Sequence, residues 1–149
     1  MKKKRTSLFT KSIIAALGLI ATCLFAYLVL AGIGAKPYIG AEDNAIILAK
    51  RQTSLETAKE FDIVNTDQTT YTVTGVDDTK EDVAALISEK NGKVKLVKLA
   101  DGVAKSSLPN SSKAISIKLG IYQGKEVWEV RSKSNDYHLY DFKDGSEVA

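Results

Sequence analysis

Cysteine is almost absent from this 149-residue chain. The single residue, Cys23, lies inside an apolar run and is read as a small apolar helix residue. The part after Lys36 therefore has no thiol with which to form a disulfide and must be held together by packing alone. For a domain outside the cytoplasm, that favours a thick-walled bacterium over a eukaryotic cell surface.

Residue types that commonly carry catalysis are also scarce. His138 is the only histidine, and neither Asp136 nor Asp141 stands at a spacing that marks a metal ligand. No serine lies in a G-x-S-x-G elbow, and there is no glycine-rich phosphate loop. His138 is predicted to be a structural or rim residue. The sequence predicts no enzyme, no cofactor, no metal site and no small-molecule substrate.

A basic surface for nucleic acid is lacking, although the net charge is +3. Five of the 21 basic residues precede Ser12, which leaves 16 basic and all 18 acidic residues for the rest of the chain. Such a mixture is an ordinary solvated surface, so nucleic-acid binding is not expected. The five early cations are Lys2, Lys3, Lys4, Arg5 and Lys11.

One long apolar run is present. Ile13 to Ala35 carries no charge, and these 23 residues would form roughly 35 Å of helix, enough to cross a bilayer core of ~30 Å. A cleaved signal peptide has a shorter apolar region and a small residue at its −3 position, where Ile33 stands here. A lipoprotein signal fits poorly, because Thr22 precedes Cys23. The run is therefore predicted to be an uncleaved transmembrane helix.

The charges beside this helix predict its orientation. Five cations precede it and only Lys36 follows it directly, so the positive-inside rule places residues 1–12 in the cytoplasm as a basic tail. Residues 36–40 are read as an extended linker, because Pro37 interrupts a helix. The predicted protein is single-pass, in the cell membrane, with an extracellular C-terminal domain.

Residues 41–100 show a helical pattern followed by strand patterns. Helical spacing predicts a helix from Ala45 to about Leu55. Phe61 and Ile63 then alternate with polar residues, and the segment TTYTVTGV is rich in β-branched residues. Three candidate caps precede the helix: Glu42, Asp43 and Asn44.

Residues 82–90 fit two structures. Asp78 or Thr79 could cap a helix that Gly92 would end. Asn91-Gly92 between two apolar runs is equally a strong signal for a β-hairpin. Propensity alone slightly favours the helix, and the residues themselves leave both interpretations open.

Residues 101–149 repeat the order of a helix and then strands. A short helical piece at Gly102–Leu108 is ended by Pro109, and three antiparallel strands follow. Their apolar residues are expected on shared faces, and the aromatic residues are expected in a core. These residues are Ile115, Ile117, Leu119 and Ile121 on the first strand, Trp128 and Val130 on the second, and Tyr140 and Phe142 on the third. The pattern predicts two small α+β units, 41–100 and 101–149.

The order of these elements, with several short motifs, resembles the TseB-like (YpmB-like) cell-wall elongation regulators of Gram-positive bacteria. The resemblance covers about Ala41 to Val148. The residues that carry it are Tyr71, Gly75 and Asp77 of a Y-x-V-x-G-x-D strand, Trp128 and Glu129 of V-W-E-V, Tyr137, Tyr140, Asp141 and Phe142 of Y-x-L-Y-D-F, and Gly145.

The resemblance implies two cystatin-like or PepSY-like units, each a helix packed on an antiparallel sheet. It thereby favours a strand at Val83–Lys90 that pairs through Asn91-Gly92 with Lys93–Leu99. The helix at Gly102–Leu108 is shorter than the family pattern. The implied role is a non-enzymatic regulator or adaptor of peptidoglycan elongation that binds a penicillin-binding protein. The alternative is a PepSY-like inhibitor or chaperone of an extracytoplasmic protease.

Overall fold

The computed structural model describes Ile20, Cys23 and residues 40–149. Apart from Ile20 and Cys23, the basic tail, the predicted transmembrane helix Ile13 to Ala35 and residues 36–39 lie outside the described residues. No helix in the described part is long and apolar enough to cross a membrane. Ala41–Ala149 form one compact unit.

Helix α1 occupies residues 40–52 in the described part of the chain. Its buried residues Ala45 and Ala49 pack on the first sheet. The predicted end at about Leu55 is wrong, because Leu55 already begins a strand. Thr53 causes the early end: its hydroxyl donates to the carbonyl oxygen of Ala49 at 2.7 Å and accepts the amide of Leu55 at 3.2 Å.

The described part of α1 also includes residues that were predicted to precede the helix. Gly40, assigned to an extended linker, is helical, and Glu42, Asp43 and Asn44 lie within the helix instead of capping it. Ala41 and Glu42 are good helix formers, so nothing local forces the helix to begin after them.

The first sheet, sheet A, has four antiparallel strands in the order β1-β2-β3-β4. The conflict at residues 82–90 is resolved in favour of a strand, which pairs Ile87 with Val94 across the Asn91-Gly92 turn. This strand is buried on both faces, and such a strand reads as a continuous apolar run that resembles a helix. The strands are β1 (Leu55–Asn65), β2 (Thr69–Asp77), β3 (Asp82–Ser88) and β4 (Val94–Lys98).

The segment between the two sheets contains no α-helix, so the predicted helix at Gly102–Leu108 is wrong. It consists of three 3₁₀ turns, Leu99–Asp101, Lys105–Ser107 and Ser111–Lys113. Tertiary contact explains the difference: the amide of Val103 donates to the carbonyl oxygen of Phe142 at 2.9 Å. Gly102 packs against the same residue: a Cβ atom at this position would lie 2.4 Å from the Phe142 ring.

The second sheet, sheet B, has three antiparallel strands in the order β5-β6-β7, as predicted. They are β5 (Ala114–Tyr122), β6 (Lys125–Ser132) and β7 (Tyr137–Asp141). Residues 146–149 pair with β7, with Val148 N donating to Leu139 O at 2.7 Å. The expectation of a helix on each sheet therefore holds only for sheet A, and the fold is α+β with two antiparallel sheets.

The predicted apolar face of β5 is interrupted at its start. The register shifts between Ala114 and Ser116, so Ile115 is unpaired in a β-bulge and 57% exposed. Ile117, Leu119 and Ile121 do face the core together. A bulge adds one residue to a strand and changes the face on which the preceding side chains lie.

Two apolar clusters lie on opposite faces of sheet A. One joins α1 to Val73, Val83 and Ala85. The other is shared by the two sheets, with Ala84 and Leu86 from sheet A. Sheet B contributes Leu119, Trp128, Val130 and Tyr140 to this shared cluster, and Phe142, which follows β7 directly, also belongs to it. The separation of residues 41–100 from 101–149 as two units stays a prediction.

Sheet B meets sheet A through the edge of β5. The Thr72 hydroxyl donates to the carbonyl oxygen of Leu119 at 2.6 Å, and the amide of Ile121 donates to the Thr70 hydroxyl at 3.3 Å. Both threonines are fully buried. Side chains of β2 therefore replace the backbone partners that a neighbouring strand would supply to β5.

Thr72→Val should destabilise the fold, because it removes the donor to a buried carbonyl while preserving side-chain shape. We expect the free energy of unfolding to fall by about 1–3 kcal/mol, measured by denaturant unfolding of the full chain in detergent. Trp128, the only tryptophan, provides the fluorescence signal.

Thr74→Val is the matched control, since Thr74 lies on the same strand and is half-buried. Its hydroxyl forms no hydrogen bond within the described residues, so a change within about 0.5 kcal/mol is expected. Equal losses in the two variants would contradict the assigned role of Thr72.

Candidate functional site

Tyr71 packs beside the helix. Its ring stacks on that of Phe61, with centroids 6.1 Å apart, and its hydroxyl donates to Oε1 of Glu89 at 2.8 Å. That hydrogen bond, burial and the charge of Glu89 raise the pKa of Tyr71. Tyr71, Ile87 and Leu48 of α1 line an open hollow of about 280 Å³. Tyr71 on β2 thus binds Glu89, the residue that follows β3, and stabilises the end of that strand.

Gly75 is required by a close approach of two strands. A Cβ atom at this position would lie 1.9 Å from the carbonyl oxygen of Thr57. The approach occurs where β1 is irregular, with a register shift between Leu55 and Thr57. A side chain here would force the strands apart, so Gly75 serves the geometry of the sheet.

Asp77 organises the turn from β2 to β3. Its Oδ1 accepts hydrogen bonds from the Thr79 amide at 2.9 Å, the Thr79 hydroxyl at 2.8 Å and the Glu81 amide at 3.0 Å. The Thr79 hydroxyl is the largest cause that lowers the pKa of Asp77. The two amides and the charge of Lys98 act in the same direction, and desolvation opposes them. The carboxylate of Asp77 therefore stabilises this turn.

Three aromatic residues of the terminal motif form the centre of the shared core. Trp128, Tyr140 and Phe142 are each at most 3% exposed. The indole Nε1 donates to the carbonyl oxygen of Val103 at 3.2 Å, and its ring lies 5.8 Å from that of Phe142. Lys105 Nζ lies 5.6 Å from the centroid of the indole ring. These rings are not available to a partner.

Two other motif residues shape the last turn. The Oδ1 atom of Asp141 accepts the amide of Lys143 at 2.8 Å. Gly145 adopts a φ of 73°, a left-handed conformation that favours glycine, and its amide donates to the carbonyl oxygen of Asp141. Together they return the chain so that residues 146–149 pair with β7.

Glu129 and Tyr137 lie on the face of sheet B opposite the shared core. Glu129 is 3% exposed, and its Oε1 accepts a long hydrogen bond of 3.4 Å from Nη2 of Arg131. Tyr137 is 58% exposed and pairs directly with Arg131 across the two strands. Of the motif residues described here, Tyr137 is the one whose side chain most clearly reaches solvent.

His138 makes a surface pair and no catalytic constellation. Its Nδ1 lies 2.6 Å from Oε1 of Glu147, and its ring stacks on Tyr140 at 6.2 Å. Asp136 instead binds the hydroxyl of Ser134. Within the described part of the chain, no three His, Cys, Asp or Glu residues are grouped to hold a metal ion.

Two further residues complete the surface beside Tyr137: Arg131, which the sequence did not single out, and Ile115, which was predicted to lie on the apolar face of its strand. Neither has a motif to mark it. The threonine row of β2 could have been noticed, because Thr70, Thr72 and Thr74 occupy alternate positions. A row of polar residues on one strand face normally indicates solvent, so its buried role was not predicted.

The chain is an α+β module of two antiparallel sheets joined through a strand edge. Residues 44–88, which include most of α1 and the strands β1 to β3, match the family model of the cell wall elongation regulator TseB-like domain. The resemblance to TseB-like proteins is thereby confirmed, and the family is described as regulatory. No curated protein matches the chain.

A solved structure has the same fold. The YpmB protein from Bacillus subtilis superposes with a TM-score of 0.60 and 18% sequence identity, covering 72% of this chain and 93% of that protein. The similarity extends beyond residues 44–88, so the fold likeness includes part of the region after the family match.

Asp77→Asn should reduce stability in a pH-dependent way. The pKa of Asp77 lies below its ordinary value of 3.8 in the folded protein, so its ionised form contributes stability above that value. This contribution is lost as pH falls through the lowered pKa. We expect the difference in unfolding free energy between wild type and variant to be largest near neutral pH and to shrink below pH 3.8.

Thr79→Val provides the comparison, because the Thr79 hydroxyl is the largest cause of the lowered pKa. In a protein that already carries Thr79→Val, Asp77→Asn should therefore cause a smaller pH-dependent loss of unfolding free energy. Denaturant unfolding over an acidic to neutral series measures all four proteins. A difference that is independent of pH would contradict the role assigned to the ionised carboxylate.

Proposed function

We propose that the chain is a membrane-anchored, extracytoplasmic regulator of peptidoglycan elongation that acts without catalysis by binding a penicillin-binding protein. The TseB-like domain at residues 44–88 carries the proposal. The fold shared with YpmB supports it at the level of architecture.

The proposed anchor is Ile13 to Ala35, with residues 1–12 in the cytoplasm and the domain outside the cell. The uncharged length of this run and the five preceding cations support that arrangement. Anchoring would keep the domain near membrane-bound synthases, so a weak contact would be sustained by high effective concentration. The expected host is a Gram-positive bacterium.

The polar groups of the domain support a binding role. Asp77 and Asp141 hold turns, and His138 pairs with Glu147 on the surface. His138, Asp136 and Asp141, the residues weighed for catalysis or metal binding, thus each have a structural partner. The alternative role is that of an inhibitor or chaperone of an extracytoplasmic protease. The crosslinking experiment below distinguishes it from the proposed role.

Ser106→Cys should report the orientation of the domain. Ser106 is exposed, and Cys23 is the only native cysteine, so one substitution adds one accessible thiol. A membrane-impermeant maleimide should label this variant in intact cells and leave the parent chain unlabelled. Ser7→Cys in the basic tail is the control and should react only after lysis. Labelling of Ser106→Cys only after lysis would refute the proposed orientation.

The full chain should recover a penicillin-binding protein from cells. Tagged full-length chain is crosslinked in living cells and purified, and the eluate is treated with a fluorescent penicillin, which acylates penicillin-binding proteins. We expect a fluorescent protein that is absent when only residues 1–40 carry the tag. Recovery of an extracytoplasmic protease without any penicillin-binding protein would instead support the alternative.

A further inference from the structure

At its centre, helix α1 is apolar around its whole circumference. Residues 45–49 read AIILA, and such a run makes more than one turn of a helix. The two alanines are buried on sheet A, and Ile46 and Leu48 are half-buried beside them. Ile47 lies on the opposite side of the helix and is 55% exposed. A helix that is apolar on every side is normally covered on every side, whereas within the described residues α1 is covered only by sheet A.

Two cations stand on the same side of α1 as Ile47. Lys50 and Arg51 follow it by three and four positions, which makes them its neighbours on the helix surface, and both are exposed. Asp43, four positions before Ile47, offsets one of them. Apolar contact therefore has to contribute more to binding here than charge does. We call Ile47, Lys50 and Arg51 the Ile47 face.

The position of α1 in the chain limits what can cover this face. The proposed anchor ends at Ala35, and α1 is helical from residue 40. An extended chain spans the residues between these positions with at most about 18 Å. Ile47 follows residue 40 by about 10 Å of helix. With Ile13 to Ala35 in the bilayer, Ile47 therefore lies within about 30 Å of the hydrocarbon core.

We propose that the Ile47 face rests on the outer surface of the lipid bilayer, with Ile47 inserted below the headgroups and Lys50 and Arg51 at the lipid phosphates. The proposal rests on the proposed function, because it requires the anchor and the orientation given there. Helices that lie in the membrane interface combine apolar side chains with cations in this way. Lysine and arginine can extend their apolar stems along such a surface while the charged head stays in water.

The bilayer is the one occupant that the chain itself brings within reach of this face. A single isoleucine makes a weak contact, and tethering by the anchor would sustain it through a high effective concentration. The contact would also orient the domain. Because the α1 cluster and the shared core lie on opposite faces of sheet A, α1 on the bilayer turns sheet B away from the membrane.

Fluorescence quenching by lipids tests the contact. In the full-length chain carrying Cys23→Ser, Asn44→Cys provides a single thiol for a fluorophore about one turn before Ile47, and Ile115→Cys provides one on sheet B. Both positions are exposed. Each labelled chain is reconstituted into liposomes that contain nitroxide-labelled lipids. We expect strong quenching of the label at position 44 and none of the label at position 115.

Ile47→Ser tests whether the apolar side chain makes the contact. It should abolish the quenching at position 44. Ile115→Ser, a matched change of an isoleucine that is 57% exposed, should leave it unchanged. Because both side chains are exposed, neither change should alter thermal unfolding. Lys50→Glu together with Arg51→Glu should weaken the quenching more in anionic than in zwitterionic liposomes.

Four results would overturn the proposal and leave the anchor standing. They are an unquenched label at position 44 in chains that float with the liposomes, quenching that Ile47→Ser leaves unchanged, quenching that disappears when each liposome holds one chain, and capture of a protein instead of lipid by a photoreactive amino acid at position 47 in living cells. The third would assign the Ile47 face to a second copy, and the fourth to a partner protein. Failure of the chain to float with the liposomes would refute the anchor, and with it both the proposed function and this contact.

Discussion

The contact between the threonines of β2 and the edge of β5 determines how the rest of the domain is arranged. Thr70 and Thr72 bind the backbone of β5, the edge strand of sheet B. Both faces of that strand are then in use. Leu119 joins the shared core on one side. On the other, Gly120 approaches Val64 so closely that a Cβ would lie 2.5 Å from its Cγ1 atom. The hydroxyl groups of Thr70 and Thr72, together with that of Thr66, which donates to the carbonyl oxygen of Ile121, therefore hold the edge of β5 against sheet A.

Local patterns predicted the elements whose structure depends on neighbours in sequence. The alternating strands and the three strands of sheet B are of this kind. The local pattern left residues 82–90 open between helix and strand, and the family resemblance favoured the strand that the structure shows. The failures depend on distant contacts: the segment at Gly102 is shaped by Phe142, 40 positions later in the chain. The exposure of Ile115 follows from a bulge that no periodicity reports. The buried threonines have a polar pattern that normally indicates solvent, so their role requires the position of the other sheet.

The motifs that reveal the family resemblance mostly describe scaffold. Gly75 permits a close strand approach, Asp77 and Asp141 hold turns, and Trp128 fills the core. Such residues specify the fold, whereas Ile115 and Arg131 stand on the surface outside every quoted motif. Proteins of this architecture could thus share a scaffold and differ in what their surfaces contact. This separation explains why the sequence resemblance indicates a regulatory class more clearly than it indicates a contact site.

The pairing of residues 146–149 with β7 has a consequence for the mode of recognition. This pairing covers one edge of sheet B, and the threonine contact covers the other. Neither β7 nor the part of β5 at Leu119 and Ile121 is therefore free to pair with a strand of a partner, and recognition at these two places would use side chains. Interactions between exposed charged side chains are screened over a Debye length of about 8 Å at physiological ionic strength. Binding through this end of the domain would accordingly vary with the ionic environment, as a backbone ladder would not.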